Sequence, residues 1–336
     1  MAVISRTSVL KKMLRWAAPE AVSRTLEYHK YRKRVKKLRK QGFFDSLFPK
    51  AVNLSLSALC NAKCVYCPED RGKGITPPFM PFELAKKIID EAKTENFKGI
   101  FRFSENGETL LNKNFLKIYE YERSALPLAK TVLYTNMALL NKETGLKLLT
   151  YGLDELNLNI DGWSEATYYA AKKLKLEPLK KNLHDFIESR KSIGKPCRIH
   201  IDILTAKTYM AKVEKVHISL PDDAEKIIEY WEPLLDTNDS ILIVDKPYKW
   251  AIRDKTKIPK TNTCRKFSKV LRECQIGPGG DVYLCCLDYQ QKCVIGNVNR
   301  SSLKKIWSSE RRKTLLKLLI ESRFAQIGEP CRFCPD

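Results

Sequence analysis

The stretch Val52-Asn-Leu-Ser-Leu-Ser-Ala-Leu-Cys-Asn-Ala-Lys-Cys-Val-Tyr-Cys67 joins a short run of alternating apolar and polar residues to three closely spaced cysteines. Alternation with a period of two marks a half-buried β-strand, and the cysteines fall on the loop that leaves it. Ligands in α/β folds bind at that carboxyl end of the strands, so Cys60, Cys64 and Cys67 stand where chemistry is done. Thiolates at this spacing suit three corners of a four-iron cube whose fourth iron lacks a protein ligand, since each corner is normally capped by one cysteine. An iron left open is a reaction site. A zinc ion completed by a distant fourth ligand is the competing use of such a loop.

Working outward, residues 50 to 245 alternate strand-like and helix-like runs, the pattern of βα units around a mainly parallel sheet. The strands are expected at Val52–Ser57, Gly99–Ser104, Thr131–Asn136, Glu155–Asp161, Arg198–Leu204 and Ile241–Val244, with Val213–Leu220 a competitor for the sixth. Helices are expected at Pro81–Glu95, Lys142–Thr150, Glu177–Ser192 and Asp222–Trp231. Parallel strands covered on both faces usually read as unbroken apolar runs, yet these alternate. Asn53, Ser55, Arg102, Ser104, Asn157, Asn159, Asp161, Arg198, His200 and Asp202 share one set of faces, and Leu54, Phe101, Phe103, Leu156, Leu158, Ile199, Ile201 and Ile203 the other. Helices covering the apolar side leave the polar side facing a hydrophilic interior, as in a barrel with a ligand-filled lumen.

The 336 residues hold eleven cysteines, an odd number, and Arg6, Lys11, Lys12 and Arg15 interrupt the first seventeen residues, where a secretory signal would need an apolar run. A reducing cytosol is therefore expected, with the thiols serving as metal ligands rather than disulfides. No run is long and apolar enough to span a bilayer. Of the net charge of +22, residues 1–50 supply +11, from 14 Lys/Arg against Glu20, Glu27 and Asp45. This arm includes Lys30-Tyr-Arg-Lys-Arg-Val-Lys-Lys-Leu-Arg-Lys40, preceded by Val3, Ile4, Leu10, Met13, Leu14 and Ala17 at helical spacing beside Trp16. A basic amphipathic helix suits an anionic membrane surface or a phosphate-rich partner; the plainer reading is a solvated helix packed on the protein body. The expected location is cytoplasmic, peripheral to the inner membrane surface where the arm makes that contact.

With Tyr66 just before its last cysteine, the loop resembles the signature of the radical S-adenosylmethionine superfamily. The resemblance continues in order along the chain: Asn106-Gly-Glu-Thr-Leu-Leu111 is similar to the family's Gly-Gly-Glu-Pro segment, Tyr134-Thr-Asn-Met137 to its Thr-Asn-Gly, and Asn159-Ile-Asp-Gly162 to its Ser-x-Asp-Gly. Asn106, Thr109, Met137 and Asn159 depart from those patterns. The resemblance implies a partial (β/α)6 TIM-like barrel over residues 50–250, which the basic arm over 1–49 precedes, and a [4Fe-4S] cluster on Cys60, Cys64 and Cys67. It further implies S-adenosyl-L-methionine held by Tyr66, Asn106, Gly107, Glu108, Asn136, Asn159 and Asp161. His200 and Asp202 are expected to line the lumen as substrate ligands or proton carriers, histidine titrating near neutrality, or else to form a satisfied interior polar pair.

Residues 264–334 hold seven of the cysteines beside the turn Gly277-Pro-Gly-Gly280. Cys264, fifteen residues, Gly280, four residues, Cys285 and the closing Cys331-Arg-Phe-Cys334 resemble the C-terminal SPASM pattern without its last cysteines, a shortened form called twitch. The resemblance implies a second [4Fe-4S] cluster on Cys264, Cys285, Cys331 and Cys334 within residues 251–336, with Cys286 an alternative to Cys285, and Cys274 or Cys293 to Cys264. Asn297 and Ser302-Leu-Lys-Lys-Ile-Trp307 resemble the helix-initiating stretch of that module.

The family chemistry implied is formation of a 5′-deoxyadenosyl radical that removes a hydrogen from the substrate, with electrons from a donor such as a flavodoxin or ferredoxin. The single-cluster form resembles sugar dehydrogenases and epimerases, so the expected substrate is a small molecule or glycan: a sugar, sugar phosphate or lipid-linked glycan, oxidised or epimerised. The alternatives are a radical maturase of a ribosomal precursor peptide and a non-catalytic zinc protein binding nucleic acid through residues 24–40, the latter partner being the less expected.

Overall fold

A computed structural model describes residues 20–68, 70–103, 106–204, 221–244 and 263–334. The expected strand Val213–Leu220, the apolar series Val3–Ala17, Ser104 and the junction near residue 250 lie outside the described residues.

Six parallel strands follow in order, β1 (Ala51–Leu54), β2 (Ile100–Phe103), β3 (Lys130–Tyr134), β4 (Glu155–Asn159), β5 (Arg198–Leu204) and β6 (Ser240–Val244), each paired with the next. The helices between them are α2 (Phe82–Thr94), α3 (Phe115–Ala125), α4 (Lys142–Thr150), α5 (Glu165–Lys172), α6 (Leu176–Ile193) and α7 (Pro221–Trp231); α1 (Glu20–Lys40) precedes the sheet. This is a partial TIM-like barrel, and the six strands and four helices expected from the sequence are all present.

Two helices are additional, and both have a physical reason for being hard to read. On α3 the core face contains Glu122 as well as Phe115, Ile118 and Tyr119, which breaks the apolar stripe. Burial pushes the Glu122 carboxyl up to about 8, and the Thr131 hydroxyl donates to it at 3.0 Å. The eight residues of α5 are rich in aromatics and are set by a capping box, in which Ser164 accepts from the Thr167 amide and Thr167 from the Ser164 amide.

The alternation sorts faces as the sequence reading required. Leu54, Phe101, Phe103, Leu156, Ile199 and Ile201 are wholly buried beneath the helices, each contributing about 1.5–3 kcal/mol of transfer free energy. On the other face Asn53 and Asn157 are buried against polar partners, while Arg102, Asn159, His200 and Asp202 are half-buried.

The C-terminal region is continuous with the barrel. β7 (Glu273–Ile276) pairs in parallel with the free side of β1, and β8 (Asp281–Tyr283) and β9 (Val294–Asn297) follow as antiparallel neighbours, giving a nine-stranded sheet among the described residues. The shared edge is tied through the lumen: Arg102 Nη1 donates to Asn53 Oδ1 at 3.1 Å, Asn53 Nδ2 donates to Gln275 Oε1 at 2.9 Å, and Arg102 lies 3.4 Å from Glu273. Helices α8 (Phe267–Arg272), α9 (Leu303–Trp307), α10 (Glu310–Ile320) and α11 (Phe324–Ile327) complete the module. Ser302 caps α9 by accepting from the Lys305 amide, at the position where the motif placed a helix start.

The described part of the basic arm follows the plainer reading. On α1, Tyr31, Val35 and Leu38 at helical spacing are buried in the main core. The Tyr31 hydroxyl donates to the Leu319 carbonyl at 3.0 Å, and its ring meets Phe267 edge-on.

Candidate active site

The loops leaving β1 to β4, with the end of β5, converge on one cavity of about 170 Å³ at the carboxyl ends of the strands, lined by Cys60, Cys64, Cys67, Gly107, Glu108 and Asn136 among others. The cysteine loop is fixed at both sides. Where it leaves β1, Ala58 and Leu56 pair with Pro78 and Met80, and Asn112 Nδ2 donates to the carbonyls of Leu56 and Met80 at 2.8 and 2.9 Å. Further on, the amides of Lys63 and Val65 donate to the carbonyls of Lys172 and Ala171 at the end of α5, both at 2.9 Å.

Gly107 lies against this loop with no room for a side chain: a Cβ there would stand 2.3 Å from the carbonyl oxygens of both Ser57 and Leu59. Its neighbour Glu108 is buried, and its carboxylate accepts from the Thr135 hydroxyl at 2.9 Å and from the amides of Asn136 and Leu110 at 2.8 and 3.1 Å. Burial raises the Glu108 carboxyl against the pull of those donors. Asn136 Nδ2 in turn donates to Asn61 Oδ1 at 2.7 Å and lies 4.0 Å from Cys60 Sγ. Met137, standing where the family pattern has glycine, holds φ at 66°, a left-handed conformation costly for its side chain. Its amide donates to Thr135 Oγ1 and its carbonyl accepts from Asn182 Nδ2, which hold it there.

Two cations missed by the motif reading flank the thiols. Arg71 Nη1 donates to Cys67 Sγ at 3.2 Å. Lys172, fully buried, pairs with Asp161 at 2.9 Å and lines the cavity. A hydrogen bond from the Cys67 thiol, reinforced by the Lys172 ammonium, holds Cys64 down at about 6 despite its burial, while the same bond and burial push Cys67 up. Burial also raises Cys60, against Arg71. No sequence signal marks Lys172 among 61 basic residues; only the packing of α5 against the loop selects it.

Cys60, Cys64, Cys67, Gly107, Glu108, Asn136, Asn159 and Tyr66 line the cavity together. Asn106 and Asp161 do not. Asn106 is buried beside it with Nδ2 lacking a hydrogen-bond partner. Asp161 faces inward, accepting from the Tyr66 hydroxyl and the Leu204 amide, both at 3.2 Å, as well as pairing with Lys172. His200 and Asp202 form a pair at 3.1 Å, with His200 Nδ1 2.6 Å from Ser240 Oγ. They stand outside the cavity lining, but register places them opposite Asn157 and Asn159, which line it.

In the C-terminal module Cys264 and Cys285 influence one another electrostatically, as do Cys331, Cys264 and Cys334. Cys286 neighbours Cys285, and Cys293 also neighbours Cys331, whereas Cys274 is buried on β7 facing Arg312.

The residues at the first site fit a three-cysteine cluster. The cavity lining contains no fourth cysteine or histidine among the described residues, the buried Lys172 and the half-buried Arg71 offset the anionic charge of the thiolates, and Gly107 keeps the backbone close.

The Arg71 contact has a measurable consequence. A cationic N–H donor to a ligand sulfur favours the more negative, reduced cluster. Arg71→Gln is expected to lower the midpoint potential of the Cys60/Cys64/Cys67 cluster by about 60 mV for each 1.4 kcal/mol of interaction lost, with Arg71→Lys intermediate. Spectroelectrochemical titration reads this directly, and an unchanged potential would remove Arg71 from the assignment.

A family model for the radical SAM superfamily matches residues 54–229, and one for an iron-sulfur cluster-binding domain, SPASM, matches residues 246–335. The chain belongs to the radical SAM superfamily and is a radical SAM enzyme with a C-terminal SPASM module, whose cofactors are [4Fe-4S] clusters and S-adenosylmethionine. Among known proteins it is similar to the S-adenosyl-L-methionine-dependent 2-deoxy-scyllo-inosamine dehydrogenase of Niallia circulans, 22% identical over 297 residues, or 86% of this chain and 94% of the relative. In fold it is similar to BtrN in complex with AdoMet and 2-DOIA, with TM-score 0.56 and 18% identity over 87% of this chain and 94% of BtrN. It is likewise similar to Streptococcus suis SuiB bound to the precursor peptide SuiA, with TM-score 0.56 and 15% identity over 91% of this chain and 78% of SuiB.

Proposed function

We propose that the protein is a radical SAM dehydrogenase acting on a hydroxyl-bearing small molecule, a sugar or sugar phosphate, or on a lipid-linked glycan. The observation that carries this reading is the register of β4 and β5, which sets His200 and Asp202 on the lumen face beside Asn157 and Asn159, the two that line the cavity with the thiols. Amides, imidazole and carboxylate in one row can both donate to and accept from vicinal hydroxyls. The similarity to a dehydrogenase of a hydroxylated ring supports the same class.

When bound, the cluster and S-adenosylmethionine supply a 5′-deoxyadenosyl radical that takes a hydrogen from the substrate. The chain's own residues do the rest. Cys60, Cys64 and Cys67 hold the cluster; Gly107, Glu108, Asn136, Asn159 and Tyr66 surround the cofactor, with Asn106 and Asp161 supporting the wall from behind. His200, oriented between Ser240 and Asp202, takes the proton from the substrate hydroxyl. In the module, Cys264, Cys285, Cys331 and Cys334 hold the auxiliary cluster. Epimerisation, in which a hydrogen is returned, is the alternative outcome.

The test is anaerobic incubation of the reconstituted enzyme with carbon-deuterated polyols and sugar phosphates. Deuterium is expected in 5′-deoxyadenosine, and the product is expected two hydrogens lighter. Transfer from a peptide alone would overturn the substrate class. SuiB, of the same fold, binds a precursor peptide, so a precursor peptide is the second substrate to be assayed.

A further inference from the structure

Beside α1 lies a second cavity, of about 370 Å³, lined by Glu27, Lys30, Tyr31, Arg34, Cys264 and Arg265. Its cations come from two distant chain segments. Lys30 and Arg34 lie one turn apart on α1, Arg265 follows the thiol, and all three are exposed. The single carboxylate of this lining, Glu27, stands 3.5 Å from Arg265. The charge continues along α1, where Arg32, Lys33, Lys36, Lys37, Arg39 and Lys40 are also exposed and no acidic residue intervenes. Residues 30–40 span about 15 Å at the helical rise, more than one small anion needs. Cys264 belongs electrostatically with Cys285 and Cys331, the proposed auxiliary ligands.

We infer that this cationic groove is the docking face for an acidic one-electron carrier protein, a flavodoxin or ferredoxin, which exchanges electrons with the auxiliary cluster through the Cys264 side of the module. The inference rests on the dehydrogenase reading above. Oxidising an alcohol to a carbonyl removes two electrons and two protons. One electron and one proton leave together as the abstracted hydrogen atom, and the second proton goes to a base. The second electron needs a one-electron acceptor, and the oxidised carrier, seated against a cluster ligand, takes it. A small transient interface held by complementary charge is the usual form of such a contact. A membrane fits this surface less well, because an interfacial helix must bury an apolar face in lipid and α1 has already placed Tyr31, Val35 and Leu38 against the protein body. Nucleic acid gives no reason for a cluster-ligand thiol on the groove floor.

The triple variant Lys30→Glu/Arg34→Glu/Arg265→Glu tests this in the full-length, cluster-loaded protein with an oxidised flavodoxin as probe. Binding is expected to weaken at least about tenfold, with a matching fall in the stopped-flow rate at which the reduced protein reduces the flavodoxin. Wild-type affinity is expected to drop with added salt, the Debye length being about 10 Å at 0.1 M. The neutral variant Lys30→Gln/Arg34→Gln/Arg265→Gln should fall between, whereas Lys142→Glu/Lys191→Glu, on α4 and α6, should bind as the wild type does. Formation of 5′-deoxyadenosine driven by dithionite should be unchanged, so its absence in the wild type would count against the radical reading and not against the groove. Undiminished flavodoxin binding by the triple variant would overturn the inference. So would loss, in that variant, only of binding to phosphatidylserine vesicles or duplex DNA.

Discussion

Cys64→Ala is expected to reduce 5′-deoxyadenosine formation to background, measured by mass spectrometry after anaerobic reconstitution, and to lower iron content by about four per chain as one cube is lost. The wall of the cavity then keeps only Cys60 and Cys67, which is too few to hold a cube with one open corner. Because the loop is fixed by backbone hydrogen bonds to α5 and to the Pro78–Met80 segment, the fold should survive, and far-ultraviolet circular dichroism should be unaltered. The contrast is Cys334→Ala, in the module. That variant should still cleave S-adenosylmethionine but form little product, since the first site is intact. A Cys64→Ala protein that still makes 5′-deoxyadenosine would refute the cluster assignment.

The second large effect concerns stability rather than cofactor. Lys172 and Asp161 are both almost wholly buried and stand 2.9 Å apart. Burial pulls the ammonium down, but the charges of Asp161 and Cys64 together raise Lys172, so it stays an ammonium at neutral pH. Removing one partner of a buried pair leaves an uncompensated charge and costs about 3–5 kcal/mol, whereas replacing both is far milder. Lys172→Met should therefore lose about that much in urea unfolding, and Lys172→Met/Asp161→Asn should recover most of it. A single variant within the error of the wild type would show that Tyr66 and the Leu204 amide satisfy Asp161 unaided. The same pair links stability to the site, because the carbonyl of Lys172 holds the amide of Lys63 in the cysteine loop.

The two predictions divide between what could and could not be read from the chain. Cys64 stands out in the sequence because the proposed cluster chemistry demands particular residue types at a fixed spacing. Lys172 does not, because nothing in a sequence with 61 Lys/Arg marks which cations become buried. Arg71 is a similar case: four residues beyond Cys67, it reads as a loop cation until the turn brings its guanidinium back to the thiol. Asp161 shows a finer separation. The motif marked it as important, but its carboxylate faces Tyr66, Lys172 and Leu204, so it supports the cavity wall from behind.

By itself the sequence determined the alternating strands, their order, the polar lumen and the cysteine sets, because periodicity and ligand spacing are local properties that survive without coordinates. Three things were decided only by the tertiary structure. β7 docks on β1 and merges the C-terminal region with the barrel sheet; α1 spends its apolar positions on the protein body; and the cations Arg71 and Lys172 are brought to the thiols. Each depends on contacts between residues far apart in the chain, where side-chain burial and charge pairing are set by which surfaces meet and not by the residues next in line.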